Sequence, residues 1–100
     1  MITEREFLER ARLDRATLTI WIEEEWIVPS RADRELAFTE MDVARAILIR
    51  DLKEKMGVND EGLGVILHLL DQMHGLRRAL KDALKVARER QTPPPVDRSS

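Results

Sequence analysis

The sequence contains no cysteine and no tyrosine. Without cysteine there is no disulfide framework, no thiol nucleophile and no thiolate zinc site. That composition fits a reducing compartment. Aromatics are scarce, with two Trp and two Phe, so Leu, Ile, Val, Met and Ala must build the core. Long apolar runs are also missing, so no segment is expected to span a membrane. The start, MITEREFLER, is charged from the fourth residue and lacks the apolar stretch of a signal peptide, which leads us to expect a cytoplasmic protein. There is no large excess of either charge. The formal net charge is -2 and the isoelectric point is near 5.7, which counts against binding nucleic acid with the whole surface.

What is present is enough for one modest domain of 100 residues, with 43% hydrophobic and 36% charged residues. A chain of this size has little room for a scaffold plus a catalytic apparatus, and no nucleophile–base pair can be assembled from its residues. The expectation is a non-enzymatic binding or regulatory protein that uses no cofactor and no metal.

Thr3 and Glu6 make a T-x-x-E capping box, and Phe7, Leu8 and Ala11 follow at helical spacing, which predicts a helix over about Glu4 to Ala11. Asp14 caps a second helix, whose buried stripe is Leu18, Trp21 and Ile22. Only a short turn separates the two, so they read as a helix-turn-helix. Ile27-Val28-Pro29 and Leu36-Ala37-Phe38 flank the polar stretch Ser30 to Arg34 and predict a small β-hairpin, or wing, with Pro29 at a strand edge or end. Trp21 reads as core, and Trp26 and Phe38 as closing the base of the hairpin. Thr39, with Asp42 at the box position, caps a third helix. Its inner face is expected to be Met41, Ala44, Ile47, Leu48, Leu52 and Met56, and Gly57 suits its left-handed C-terminal stop. Asn59 caps a fourth helix, with Asp60 and Glu61 in its first turn, running to about Arg90. At ~1.5 Å per residue that helix is ~45 Å long, too long for so small a domain to cover. Gln91 to Ser100, QTPPPVDRSS, reads as a disordered tail. The division is a winged helix-turn-helix region over 1–56, a long helix over 57–90 and the tail over 91–100.

Leu69, Met73, Leu76, Leu80, Ala83 and Ala87 are spaced 4, 3, 4, 3, 4 along the fourth helix. This is a coiled-coil seam with no intramolecular partner, so it predicts a homodimer. From Val58 to Leu76 the helix carries three acids and no Lys or Arg, a net of -3. From Arg77 to Arg90 it carries six bases and two acids, a net of +4. An antiparallel pair sets the acidic half against the basic half.

A winged helix-turn-helix invites a DNA-binding reading, because its second helix can enter the major groove. The electrostatics oppose it. The stretch DRATLTIWIEEEWIV holds one base, Arg15, against Asp14, Glu23, Glu24 and Glu25, a net of -3. Its outward face would present Ile20, Glu23 and Glu24, and carboxylates repel a phosphate backbone. In the wing, Arg31 and Arg34 are cancelled by Asp33 and Glu35. His68, Asp71 and His74 do not make a metal site, since residues six apart on a helix point about 120° away from each other. GLGV at Gly62 to Val65 lacks the strand and the Lys of a phosphate loop. Gly62 and Gly64 instead allow another element's backbone to approach closely.

The stretches TLTIWIEEEWIVP and ELAFTEMDVARAILIRDLKEKMGVNDEGLGVILHLLDQMHGLRRAL, with the short wing between them, resemble the CbpM family of chaperone modulatory proteins, within the MerR-like superfamily. The resemblance covers about residues 2–85, and MGVNDEGLGVILHLLDQ is its most specific part. It implies a mostly helical, MerR-like winged helix-turn-helix with a small hairpin and a long C-terminal dimerisation helix. It also implies binding to the J-domain of a DnaJ-like co-chaperone of the CbpA type, which restrains that partner's action with DnaK. A J-domain exposes a basic helix. Ile20, Glu23 and Glu24 on the second helix and Asp60 and Glu61 on the fourth are the candidate contacts. The alternative is a small MerR-type DNA-binding transcriptional regulator.

Overall fold

The computed structural model describes residues 1–91. In order these form β1 (Ile2–Thr3), α1 (Glu4–Ala11), α2 (Arg15–Glu23), β2 (Ser30–Ala32), β3 (Glu35–Phe38), α3 (Glu40–Glu54) and α4 (Asp60–Gln91). The chain divides into two compact units, Met1–Leu67 and His68–Ser100, with the boundary inside α4. Gln91 is the last helical residue rather than the first of the tail, and the rest of the expected tail lies outside the described residues.

Local chemistry sets the helix ends. The Thr3 hydroxyl accepts from the Glu6 amide at 3.2 Å, and the Asp14 carboxylate accepts from the Thr17 amide at 2.7 Å. Thr39 and Asp42 form the full reciprocal box at the start of α3. The Asn59 side chain accepts from the Gly62 amide at 2.7 Å. α1 and α2 both stop at residues in the left-handed region that are not glycine, Arg12 (φ 56°) and Glu25 (φ 62°). Each stop is closed by an amide reaching back five residues, Leu13 to Leu8 at 3.1 Å and Trp26 to Trp21 at 2.9 Å. Two arginines of α3 satisfy carbonyls beside these stops. Arg50 donates to the Ala11 carbonyl at 2.6 Å, and Arg45 donates to the Trp26 carbonyl.

The core of the first unit gathers side chains from β1, α1, α2, β3, α3 and the start of α4, while β2 stays exposed. Phe7, Leu18, Trp21, Ile27, Phe38, Ile49 and Leu63 are buried. Phe7 and Phe38 stack with ring centroids 4.0 Å apart and planes tilted by 15°. Trp21 and Trp26 meet at 6.3 Å, and the Lys53 ammonium sits 5.5 Å from the centroid of the Trp26 ring. Phe38 and Trp26 belong to two different aromatic pairs.

The sheet corrects the expected hairpin. It has three antiparallel strands in the order β1-β3-β2, and the pairing Ile2↔Phe38 adds an N-terminal strand that a two-residue segment did not announce. The first wing strand is the polar Ser30–Ala32, not Ile27 to Pro29. The turn is Asp33–Arg34, with φ of 51° and 69° at its two positions, flanked by the pair Ala32↔Glu35. Two successive left-handed residues define the two-residue hairpin loop that matches strand twist. Pro29 precedes β2 and has no amide to lend to the ladder. Ile27 is fully buried, drawn into the core beside Trp26 by the reversal at Glu25.

α3 is rotated relative to expectation. Val43, Ala46, Ile49 and Leu52 face the core. Met41, Ala44, Ile47, Leu48 and Met56 are exposed, and of the expected inner face only Leu52 is inside. α3 is apolar on two sides, so spacing alone admits either face. The bonds from Arg45 and Arg50 decide between them, because they turn the Val43–Ala46–Ile49 side toward α1 and α2. At Gly62, a Cβ would lie 3.1 Å from Asn59 Oδ1 and 3.2 Å from Val58 Cγ1, so the close approach comes from the cap itself. Gly64 has nothing within 4 Å of such an atom and needs no glycine on that ground.

Candidate partner-binding surface

α1 and α2, joined by Arg12–Asp14, form a helix-turn-helix, and β2–β3 form the wing. Leu18 and Trp21 anchor α2 inward. The opposite side of α2 is set by helical spacing and presents Ala16, Thr19, Ile20 and Glu23, with Ile20 53% exposed. Glu23 ends the helix and Glu24 is its C-cap. The three consecutive glutamates thus divide by role. Glu23 and Glu24 are exposed carboxylates at the end of α2, whereas Glu25 supplies the left-handed stop.

Two arginines of this unit pair with carboxylates within the fold. Arg15, the one base of α2, lies 3.6 Å from the Glu4 carboxylate. Arg10 makes a two-point bond to Glu40 at 2.6 and 2.8 Å. This pairing holds the Glu40 carboxyl below its usual value and raises the Arg10 guanidinium. Hydrogen bonds from Thr17 likewise lower Asp14. Arg31, Asp33, Arg34 and Glu35 are exposed on the wing.

The family model for MerR HTH family regulatory proteins matches residues 2–85 of the chain. This chain belongs to the MerR helix-turn-helix family. Neither the curated proteins nor the solved structures yield a match.

In a DNA-binding helix-turn-helix the second helix is the reading element. Here that helix offers an isoleucine and two carboxylates. The second acidic group differs. Asp60 is bound to the Lys53 ammonium, which also covers Trp26, while Glu61 is exposed. Asp60 is therefore partly spent on joining α3 to the start of α4, and Ile20, Glu23 and Glu24 lie on a different element from Asp60 and Glu61.

In the second unit, Leu69, Met73, Leu76, Leu80, Ala83 and Ala87 are all exposed, and Leu76 reaches 70%. Two further apolar side chains accompany them, Leu84 and Val86. Leu84 was legible as the i+4 neighbour of Leu80. Spacing alone points the α3 row of Met41, Ile47 and Leu48 toward the core, whereas it is exposed. His68 lies 3.1 Å from Gln72 through its Nε2, and among the described residues no group of three or more His, Asp or Glu is placed to hold a metal ion. Among the described residues no helix is long and apolar enough to cross a membrane.

Proposed function

We propose that this MerR-family protein recognises another protein rather than DNA. In this reading it is a non-enzymatic chaperone modulator that binds the J-domain of a DnaJ-like co-chaperone of the CbpA type and inhibits its action with DnaK. The observation that carries the reading is the outward side of α2, where Ile20, Glu23 and Glu24 are exposed and Arg15 is held by Glu4. Two carboxylates at the position of a DNA-reading helix oppose phosphate, and phosphate neutralisation supplies much of DNA affinity. The same side chains complement a basic helix, with Ile20 as an apolar anchor and the acids as steering charges. The resemblance to the CbpM family, carried by MGVNDEGLGVILHLLDQ, supports the identity of the partner.

The protein acts as a homodimer in this proposal, paired antiparallel through Leu69, Met73, Leu76, Leu80, Ala83 and Ala87. Support comes from the exposure of that row at heptad spacing. Calorimetric titration of the isolated J-domain with Glu23→Lys/Glu24→Lys tests the site. The variant is expected to bind more weakly and with a flatter salt dependence. Unchanged binding removes α2 from the interface. A steep, salt-dependent affinity of the wild type for duplex DNA favours the transcriptional regulator instead.

A further inference from the structure

The stop at the end of α2 folds the following chain back against that helix. Glu25 lies in the left-handed region, the Glu25 amide donates to the Ile22 carbonyl at 3.0 Å, and the Trp26 amide donates to the Trp21 carbonyl at 2.9 Å. The Ile27 amide lies 3.4 Å from the same Trp21 carbonyl. Standard backbone dimensions then keep the Cα of Val28 within about 8 Å of that carbonyl, which belongs to the last turn of α2. Val28 precedes Pro29, and a residue before proline is held in extended backbone, where successive side chains point to opposite sides. Ile27 is fully buried and Val28 is 73% exposed, so Ile27 faces the core and Val28 faces out.

Ile20, in the last turn of α2, is also exposed. Two branched apolar side chains from separate segments therefore stand open at one end of the helix. The exposed charge there is negative. Glu23 and Glu24 are exposed, and the last turn of α2 carries no base. They sit at the negative end of the helix dipole, which favours cations over carboxylates. Two bases of α3 reach this end and are held within the fold, Arg45 by the Trp26 carbonyl and Lys53 by Asp60. Helix stability favours the opposite charge at this position, whereas a ligand that is both basic and apolar is matched on both counts.

We infer that Val28 is a second apolar anchor of the partner-binding surface. The bound element is a basic amphipathic helix of the partner, which lies across the end of α2, buries Ile20 and Val28 together and turns its cations toward Glu23 and Glu24. This inference rests on the protein-binding reading of α2 proposed above and adds to it the segment that leads into the wing. The charge selects a basic ligand. The two apolar anchors select a protein helix, because a phosphate backbone gains nothing from burying valine or isoleucine.

The test is calorimetric titration of the full chain with an isolated J-domain of the CbpA type, with a thermal melt on every variant. Val28→Ser is expected to melt with the wild type, because the side chain is exposed, and to bind about tenfold more weakly. Val28→Thr, which keeps the shape and adds a hydroxyl, is expected to weaken binding as well, and serves if serine lowers the melting temperature. Val28→Leu, which keeps an apolar side chain, is expected to bind within about threefold of the wild type. Met41→Ser, at a comparably exposed apolar residue on α3, is expected to bind as the wild type does. Unchanged binding by Val28→Ser, while Glu23→Lys/Glu24→Lys weakens it, overturns this inference alone. An equal loss in Met41→Ser also overturns it, since the effect is then not specific to the end of α2. A wild type that does not bind the J-domain overturns both this inference and the reading beneath it.

Discussion

Leu80→Asp separates association from folding. Leu80 is 59% exposed in the single chain and lies in the second unit, so the substitution removes no contact from the core around Phe7, Trp21 and Phe38. The first unit should keep its stability to within about 0.5 kcal/mol, as exposed substitutions usually do. The dimer is affected differently. A leucine side chain contributes about 1.5–3 kcal/mol when fully buried, and a symmetric pair loses two, about 3–6 kcal/mol. At about 1.4 kcal/mol per factor of ten, dissociation becomes roughly a hundred- to ten-thousandfold easier, before the cost of burying a carboxylate is added. Most helical stability in proteins comes from packing of an apolar face, so residues 68–91 should also lose helix content when unpaired. Sedimentation equilibrium at tens of micromolar, with circular dichroism on the same samples, reads both effects. The reasoning fails if the wild type is monomeric at that concentration. It fails equally if Leu80→Asp stays dimeric, or if the first unit melts together with the dimer.

Phe7→Ala empties a fully buried site stacked on Phe38 and should lower the unfolding free energy by about 3–5 kcal/mol in urea titration. Asp14→Ala removes the α2 cap and should cost about 1 kcal/mol by the same measurement. Glu25→Gly relieves a left-handed residue and should stabilise by about 0.5–1 kcal/mol without changing partner binding, since that glutamate serves the turn. Asp14 and Glu40 are both held below their ordinary values in the fold, so the unfolded chain takes up their protons first as pH falls. Their stabilisation is complete above the ordinary carboxylate range, about pH 4–4.5, and is lost progressively below it, as pH falls through their lower folded values. Thermal melts across that range should show the decline, and Glu40→Gln should reduce it.

Much of the helical framework was legible because capping chemistry is local. Thr3, Asp14, Thr39 and Asn59 each mark a helix start by a bond three residues ahead. The apolar row on α4 was legible as an exposed row because heptad spacing is local too. The failures arose where two local readings were equal and tertiary contact chose between them. α3 carries apolar residues on both sides, and the donors Arg45 and Arg50 selected the side that turned inward. The wing strand was misplaced because Ile27 looks like a strand residue but is pulled into the core, while Asp33–Arg34 form a tight turn without the glycine that usually announces it. Of the candidate contacts, Ile20, Glu23 and Glu24 were readable from helical spacing and are exposed as spacing requires. The pairing of Asp60 with Lys53 was not readable, because it depends on how α3 meets α4.

The central claim is that a MerR-family fold here presents its second helix to a protein. The most direct measurement is a side-by-side titration of the wild type and Glu23→Lys/Glu24→Lys against an isolated J-domain and against duplex DNA, each at two salt concentrations. The wild type is expected to bind the J-domain, with negligible affinity for DNA at the higher salt. The double reversal is expected to weaken J-domain binding, by ~1 kcal/mol or less for each charge, while improving binding to DNA. A wild type that binds duplex DNA with a steep salt dependence and ignores the J-domain would contradict the central claim.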